Sequence, residues 1–197
     1  MAHEGLWEQL EKLDGVKTAQ RAKCRFLSDP PRYILNMLNT EYAINLSEHE
    51  IFSFKKDSGQ KQSEFLEQLC LLAYLINAED LPLTGKLVKA ETFPGGQFFF
   101  RGQHKLPTKK LEDFFGNNPE LLYKASRQFD VKRCAFGDAS IELKILPNLP
   151  LTIIIWRGCE EFGARASILF DQTAASQLPL DALLTSVNLA VRALTSN

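Results

Sequence analysis

The stretch LTIIIWRGCEEFGARASILFD, residues 151–171, decides how this chain folds. An apolar run closes at Trp156, two adjacent carboxylates follow at Glu160 and Glu161, and a second apolar run closes at Asp171. Three successive isoleucines, Ile153, Ile154 and Ile155, predict a central strand covered on both faces, because a half-exposed strand alternates apolar with polar residues. The polar segment between the runs is then expected at the rim of the fold. There Cys159, Glu160 and Glu161 would be in position to meet a ligand or a partner.

Moving outward, the C-terminal side offers one amphipathic helix, with Leu180, Leu183, Leu184, Val187, Val191 and Leu194 at helical spacing. Upstream, residues 140–145 alternate as a strand, and Pro147, Asn148 and Pro150 punctuate the passage into residues 151–156. Pro107 and Pro119 are placed to begin helices over 108–115 and 119–129, with Gly116-Asn117-Asn118 breaking them apart. The strongest helix expectation covers residues 63–77, where Phe65, Leu69, Leu72 and Ile76 share a stripe that Leu66, Cys70 and Ala73 broaden. So wide an apolar arc implies contacts on more than one side. Nearer the N-terminus, residues 33–38 and 41–46 read as strands around an Asn39-Thr40 turn, with a third strand over 51–54 and an exposed turn over 55–59. A helix over residues 4–26, bent or divided at Gly15, precedes Asp29-Pro30-Pro31, which closes it. The pattern predicts an α+β fold, a mixed or antiparallel sheet packed against several helices. It is read as a single domain over residues 1–197, with a small N-terminal hairpin lobe as the variant.

Composition narrows the partners. A formal net charge of -1 and interrupted lysine pairs at 55–56 and 109–110 give no electrostatic footprint for nucleic acid. No apolar segment is long enough to cross a bilayer, and no basic segment leads into an apolar one at the N-terminus, so a cytoplasmic protein without a membrane partner is expected. Cys24, Cys70, Cys134 and Cys159 are widely spaced with no CxxC pair, which reads as free thiols rather than a disulfide framework or an iron–sulfur run.

Two motifs carry a resemblance. LPLTGKLV at residues 81–88 follows the leucine-rich helix, and IIIWRGCEEFGARASILFD covers residues 153–171. Together with the C-terminal helix they resemble an uncharacterised prokaryotic family of domains of unknown function, over most of the chain. Such domains are sometimes associated with iron–sulfur or corrinoid proteins. The resemblance therefore implies a cofactor-related accessory role, with a corrinoid or iron–sulfur protein as partner. It also implies that Trp156, Phe162 and Leu169-Phe170-Asp171 belong to a shared framework. The family pattern usually has a carboxylate where Cys159 stands, and sulfur there changes both charge and metal preference.

On chemistry, adjacent Glu160 and Glu161 point to opposite faces of an extended backbone, so an acid–base pair would need a turn to converge them. An exposed turn balanced by Arg157 or Arg165 is the plainer reading. Cys159 with the glutamates or Asp171 would supply mixed sulfur and oxygen donors to a metal, although no histidine completes a recognisable set. Around Gly85 and Lys86, backbone N–H groups and an ammonium would suit an anionic group, against a purely structural role for Pro82 and Gly85. Trp156, Phe162, Phe98 and Phe100 would either fill the core or wall a pocket for a planar ligand such as a corrinoid or other tetrapyrrole.

The leading expectation is a non-catalytic accessory domain recognising a cofactor or a cofactor-bearing protein. Lys86, Arg157, Cys159, Glu160 and Glu161 would give polar recognition, and Trp156 and Phe162 an apolar boundary. Two alternatives belong to other classes: a small-molecule enzyme using Cys159 or Glu160 and Glu161, and a protein-interaction scaffold without a small ligand.

Overall fold

A computed structural model describes residues 3–55 and 59–196. It opens with α1 (Glu4–Glu11) and α2 (Gly15–Arg21), where the sequence reads as one longer helix. The division has a local cause: the Asp14 side chain accepts the Lys17 N–H at 2.8 Å, so Asp14 caps a new helix starting at Gly15. Five strands follow as an antiparallel meander: β1 (Arg25–Ser28), β2 (Pro31–Met37), β3 (Thr40–Asn45), β4 (Glu50–Lys55) and β5 (Gly59–Gln62). The β2–β3 turn is Leu38-Asn39, one residue earlier than the expected Asn39-Thr40, and Met37 pairs with Thr40 across it. Both turn residues have positive φ, 49° and 58°, as a two-residue hairpin turn requires. Leucine tolerates that conformation here because its N–H is held by the Ile145 carbonyl at 2.8 Å. Residues 56–58 of the expected exposed turn lie outside the described residues.

Helix α3 (Phe65–Asn77) begins with a reciprocal cap, in which the Glu64 N–H donates to Glu67 Oε2 at 2.8 Å. Residues 70–75 are buried without interruption, because α1 and α2 pack on one side and the C-terminal helix on another. Its first turn is different. Phe65 and Leu66 are exposed, and the His3 ring lies over Phe65 at 4.1 Å. Next come β6 (Leu87–Val88), the short α4 (Gly96–Phe99), α5 (Thr108–Phe115) and α6 (Leu121–Ala125). Expected over 119–129, α6 stops after five residues because the apolar stripe runs out into Ser126-Arg127-Gln128, and Ser126 turns its hydroxyl back to the Tyr123 carbonyl.

The second sheet is also antiparallel, in the order β6-β10-β9-β8-β7, with β7 (Val131–Arg133), β8 (Ala139–Leu146), β9 (Leu149–Trp156) and β10 (Arg165–Asp171). The isoleucine run lies on β9, the middle strand, and both faces of that run are buried as expected. Its inner face, Leu151, Ile153 and Ile155, lies under α5 in one core with Ile141, Leu143, Ile168 and Phe170, and α7 (Leu180–Thr195) packs on the neighbouring β8. Burying a side chain such as Phe170 stabilises the fold by about 1.5–3 kcal/mol. The architecture is thus α+β, with two antiparallel sheets packed against several helices.

Candidate functional site

The two motifs that carry the family resemblance meet at Asp171. Strand β10 ends there, and the 81–86 loop wraps its carboxylate before entering β6, which pairs Leu87 with Asp171. Asp171 is 3% exposed. Gly85 donates its N–H to Oδ2 at 2.7 Å, while the Thr84 N–H reaches Oδ1 at 3.3 Å and the Thr84 hydroxyl lies 3.1 Å from each oxygen. On the other side, Thr173 donates its N–H at 3.0 Å and its hydroxyl at 2.8 Å to Oδ1. Burial alone pushes this carboxyl up. The donors of Thr173, Thr84 and Gly85 outweigh it together, and the pKa lies below the ordinary carboxylate value. The Gly85 N–H is thus committed to a carboxylate of the chain itself. Gly85 takes φ 70°, a conformation that glycine adopts without strain and that aims its N–H at the carboxylate.

The residues singled out after β9 lie elsewhere. Arg157 donates its N–H to Asp138 Oδ2 at 2.7 Å, and the Cys159 N–H closes a tight turn onto the Phe162 carbonyl at 2.8 Å. Cys159, Glu160 and Glu161 are exposed in that turn, and Phe162 is 70% exposed. Trp156 is half-buried, with the Arg165 guanidinium 5.3 Å from its ring centroid. Lys86 is exposed beside Asp171, whereas Trp156 pairs with Arg165 at the opposite end of β10. Six residues of strand separate those ends, about 20 Å. The structure thus groups residues 157–162 in one solvated loop after Trp156 at the end of β9, and leaves Lys86 out of it. Of the aromatics that would fill the core or wall a pocket, Phe100 is buried in the core, and Phe98 and Phe162 face solvent.

Two cavities lie apart from that loop. The larger, about 900 Å³, is an open recess between the first sheet, the start of α3 and the end of α7. Its charged groups are already matched: Glu64 to Arg192 at 2.7 Å and Glu41 to Arg25 at 2.9 Å. Tyr42 donates its hydroxyl to Glu67 Oε1 at 2.9 Å. Burial foremost, then the nearby Glu67 charge, raises the Tyr42 pKa and keeps it a donor. What remains uncommitted on the lining is neutral and polar: the carboxamides of Asn36 and Gln128 and the hydroxyl of Thr40 make no hydrogen bond among the described residues. Met37, Phe54, Phe129 and Leu189 provide the apolar part. No feature of the linear sequence joins these residues, since they come from five separate segments. The smaller cavity, about 200 Å³, lies under the 81–87 loop on the outer face of the second sheet.

Metal chemistry gets no preformed cluster: among the described residues, no three His, Cys, Asp or Glu side chains converge. Each histidine is engaged. His49 stacks on Trp7 at 4.9 Å and meets Glu11 at 2.6 Å, His104 stacks on Phe99, and His3 covers Phe65. The four cysteines are free, and burial pushes the Cys24 and Cys70 thiols up to about 12.

The domain of unknown function DUF3786 matches residues 14–193. This chain belongs to the DUF3786 family. The matched span runs from the cap of α2 into the last turn of α7, and so takes in both sheets and the Asp171 junction. No curated protein and no solved structure matches the chain. Among the described residues, no helix is long and apolar enough to cross a membrane.

Proposed function

We propose that this DUF3786 chain is a non-catalytic accessory domain that holds a cofactor-sized polar ligand, or the cofactor-bearing part of a partner protein, in the 900 Å³ recess. The observation supporting this reading is the combination of ligand-scale volume with uncommitted amide and hydroxyl groups beside apolar surface. Every charge on the lining that could drive acid–base chemistry is matched by a neighbour, which favours holding a ligand over transforming it. Uncommitted carboxamides suit a ligand that itself carries amides or hydroxyls, because each side then supplies donors and acceptors. A corrinoid, whose rim bears amide groups, is the class that the family resemblance favours, and another tetrapyrrole comes second. The solvated 157–162 loop, with Arg157, Glu160, Glu161 and exposed Phe162, would then serve as contact surface for a corrinoid or iron–sulfur partner.

Titration of the purified chain with hydroxocobalamin and, separately, with hemin tests this reading by calorimetry and absorbance. Saturable binding is expected, weakened about fivefold in both Asn36→Leu and Gln128→Leu, the loss of about 1 kcal/mol per hydrogen bond. Absence of binding by both probes at about 1 mM, or binding that both variants leave unchanged, would remove the basis of the proposal.

A further inference from the structure

The smaller cavity has a composition of its own, on the face of the second sheet turned away from the helices. Strand alternation places it there: Leu151, Ile153 and Ile155 enter the core, so Thr152 between them points outward. Lys132, Glu142 and Thr152 form one cross-strand row, since Lys132 pairs with Glu142 and Glu142 with Thr152. The row is roofed on one side by Leu83 and Gly85, and on the other by Cys134 and Phe136, with Pro150 and Asp171 at its ends.

Three features make it a receptive site. Thr152 is 2% exposed, and its hydroxyl has no hydrogen-bond partner among the described residues. The hydroxyl keeps access to the cavity, so it is free to donate to or accept from a molecule placed there. Lys132 and Glu142 stand directly opposite on adjacent strands, yet they form no ion pair with each other or with any other described residue. The roof is fixed rather than loose, because Asp171 holds the N–H groups of Thr84 and Gly85. Those N–H groups are consequently spent and cannot receive an external anion.

The geometry points to a binding site for a small zwitterion of the α-amino-acid class, with its carboxylate at Lys132, its ammonium at Glu142 and a hydrogen bond to the Thr152 hydroxyl. A bare anion or a bare cation would engage only one of the two opposed charges, whereas a zwitterion engages both, exposed Lys132 and half-buried Glu142. Size sets the rest. At about 30 Å³ per water the cavity holds roughly six or seven, which matches a molecule of similar heavy-atom count such as alanine. Leu83, Phe136 and Pro150 give its short side chain an apolar contact. The site is independent of the larger recess and stands or falls separately from the accessory-domain reading.

The test is an amide chemical-shift titration of the intact chain with L-alanine, following Gly85, Thr152 and Cys134, with propionate and ethylamine as the two half-ligands. Saturable shifts at these amides are expected for L-alanine, with each half-ligand and each of the variants Lys132→Met and Glu142→Gln weaker by about tenfold or more. Thr152→Val should weaken L-alanine by about fivefold, one neutral hydrogen bond. The spectrum of each variant reports independently that it is folded. No saturable shift at about 50 mM L-alanine overturns the proposal, that concentration being well above a millimolar Kd. So does binding that a half-ligand equals, or that Lys132→Met and Glu142→Gln leave intact.

Discussion

Asp171→Asn isolates the junction at which the 81–86 loop meets the end of β10. The substitution keeps shape and removes one acceptor oxygen along with the charge. Five donor groups converge on the native carboxylate, three N–H and two O–H. A carboxamide has one acceptor oxygen, so its NH₂ must face either the Gly85 N–H, now at 2.7 Å, or the Thr84 and Thr173 donors. The hydroxyls of Thr84 and Thr173 can rotate away, whereas the N–H groups cannot. One charge-assisted hydrogen bond lost, at about 1.5–3 kcal/mol, is the main cost, and water reaching exposed Thr84 and Gly85 offsets part of it. The expected loss is therefore about 2 kcal/mol in urea unfolding, accompanied by faster hydrogen exchange at the Gly85 amide than at the β9 amides. Acidity provides a matching test. Because the folded pKa lies below the unfolded value of 3.8, the contribution is fully present above that value and fades as pH falls through the lower folded one. Asp171→Asn should lack that acid-dependent component. Stability within about 0.5 kcal/mol of wild type, with unchanged Gly85 exchange, would refute the claim that this carboxylate anchors the loop.

Two other outcomes follow from the packing around Gly137 and the cysteines. Gly137→Ala should destabilise the chain by about 2 kcal/mol, read by thermal or urea unfolding. The residue has φ 57°, and an added Cβ would lie 2.7 Å from the Ile155 carbonyl oxygen and 2.8 Å from Ile154 Cγ2. A thiol-reactive reagent at pH 7 should label Cys159 first, because it is exposed, and Cys70 last, because it is fully buried and its thiol is pushed up to about 12. Mass spectrometry of timed aliquots gives the order, and early modification of Cys70 would contradict its burial.

Periodicity made the secondary elements with strong apolar stripes legible. The isoleucine run, the leucine-rich helix and the C-terminal helix all occur where spacing places them, because burying their faces dominates their local energetics. Short edge elements were less visible. Residues 59–62 carry no apolar side chain and residues 25–28 only the adjacent pair Phe26-Leu27, so neither shows alternation, and their strand conformation comes from pairing with β4 and β2. The split at Asp14 and the early end of α6 depended on single side-chain caps, which periodicity does not weigh. At site level, the sequence motifs marked Asp171 and Gly85 as notable without showing that they join. Spacing along the chain says nothing about a pairing between residues 85 and 171. The two cavities had no linear signature at all. Glu142 and Thr152 become neighbours only through the register of β8 on β9.

The outermost strands have a further consequence. Each sheet ends in strands of two to four residues: β1 and β5 on one, β6 and β7 on the other. Arg25, Lys61, Lys132 and Arg133 project charge from these borders, and every residue of β5 is exposed. An incoming foreign strand would meet too few free peptide groups in line at each border, and a cation at β1, β5 and β7. Two open β-meanders can thus coexist in one chain without inviting fibril growth from their margins.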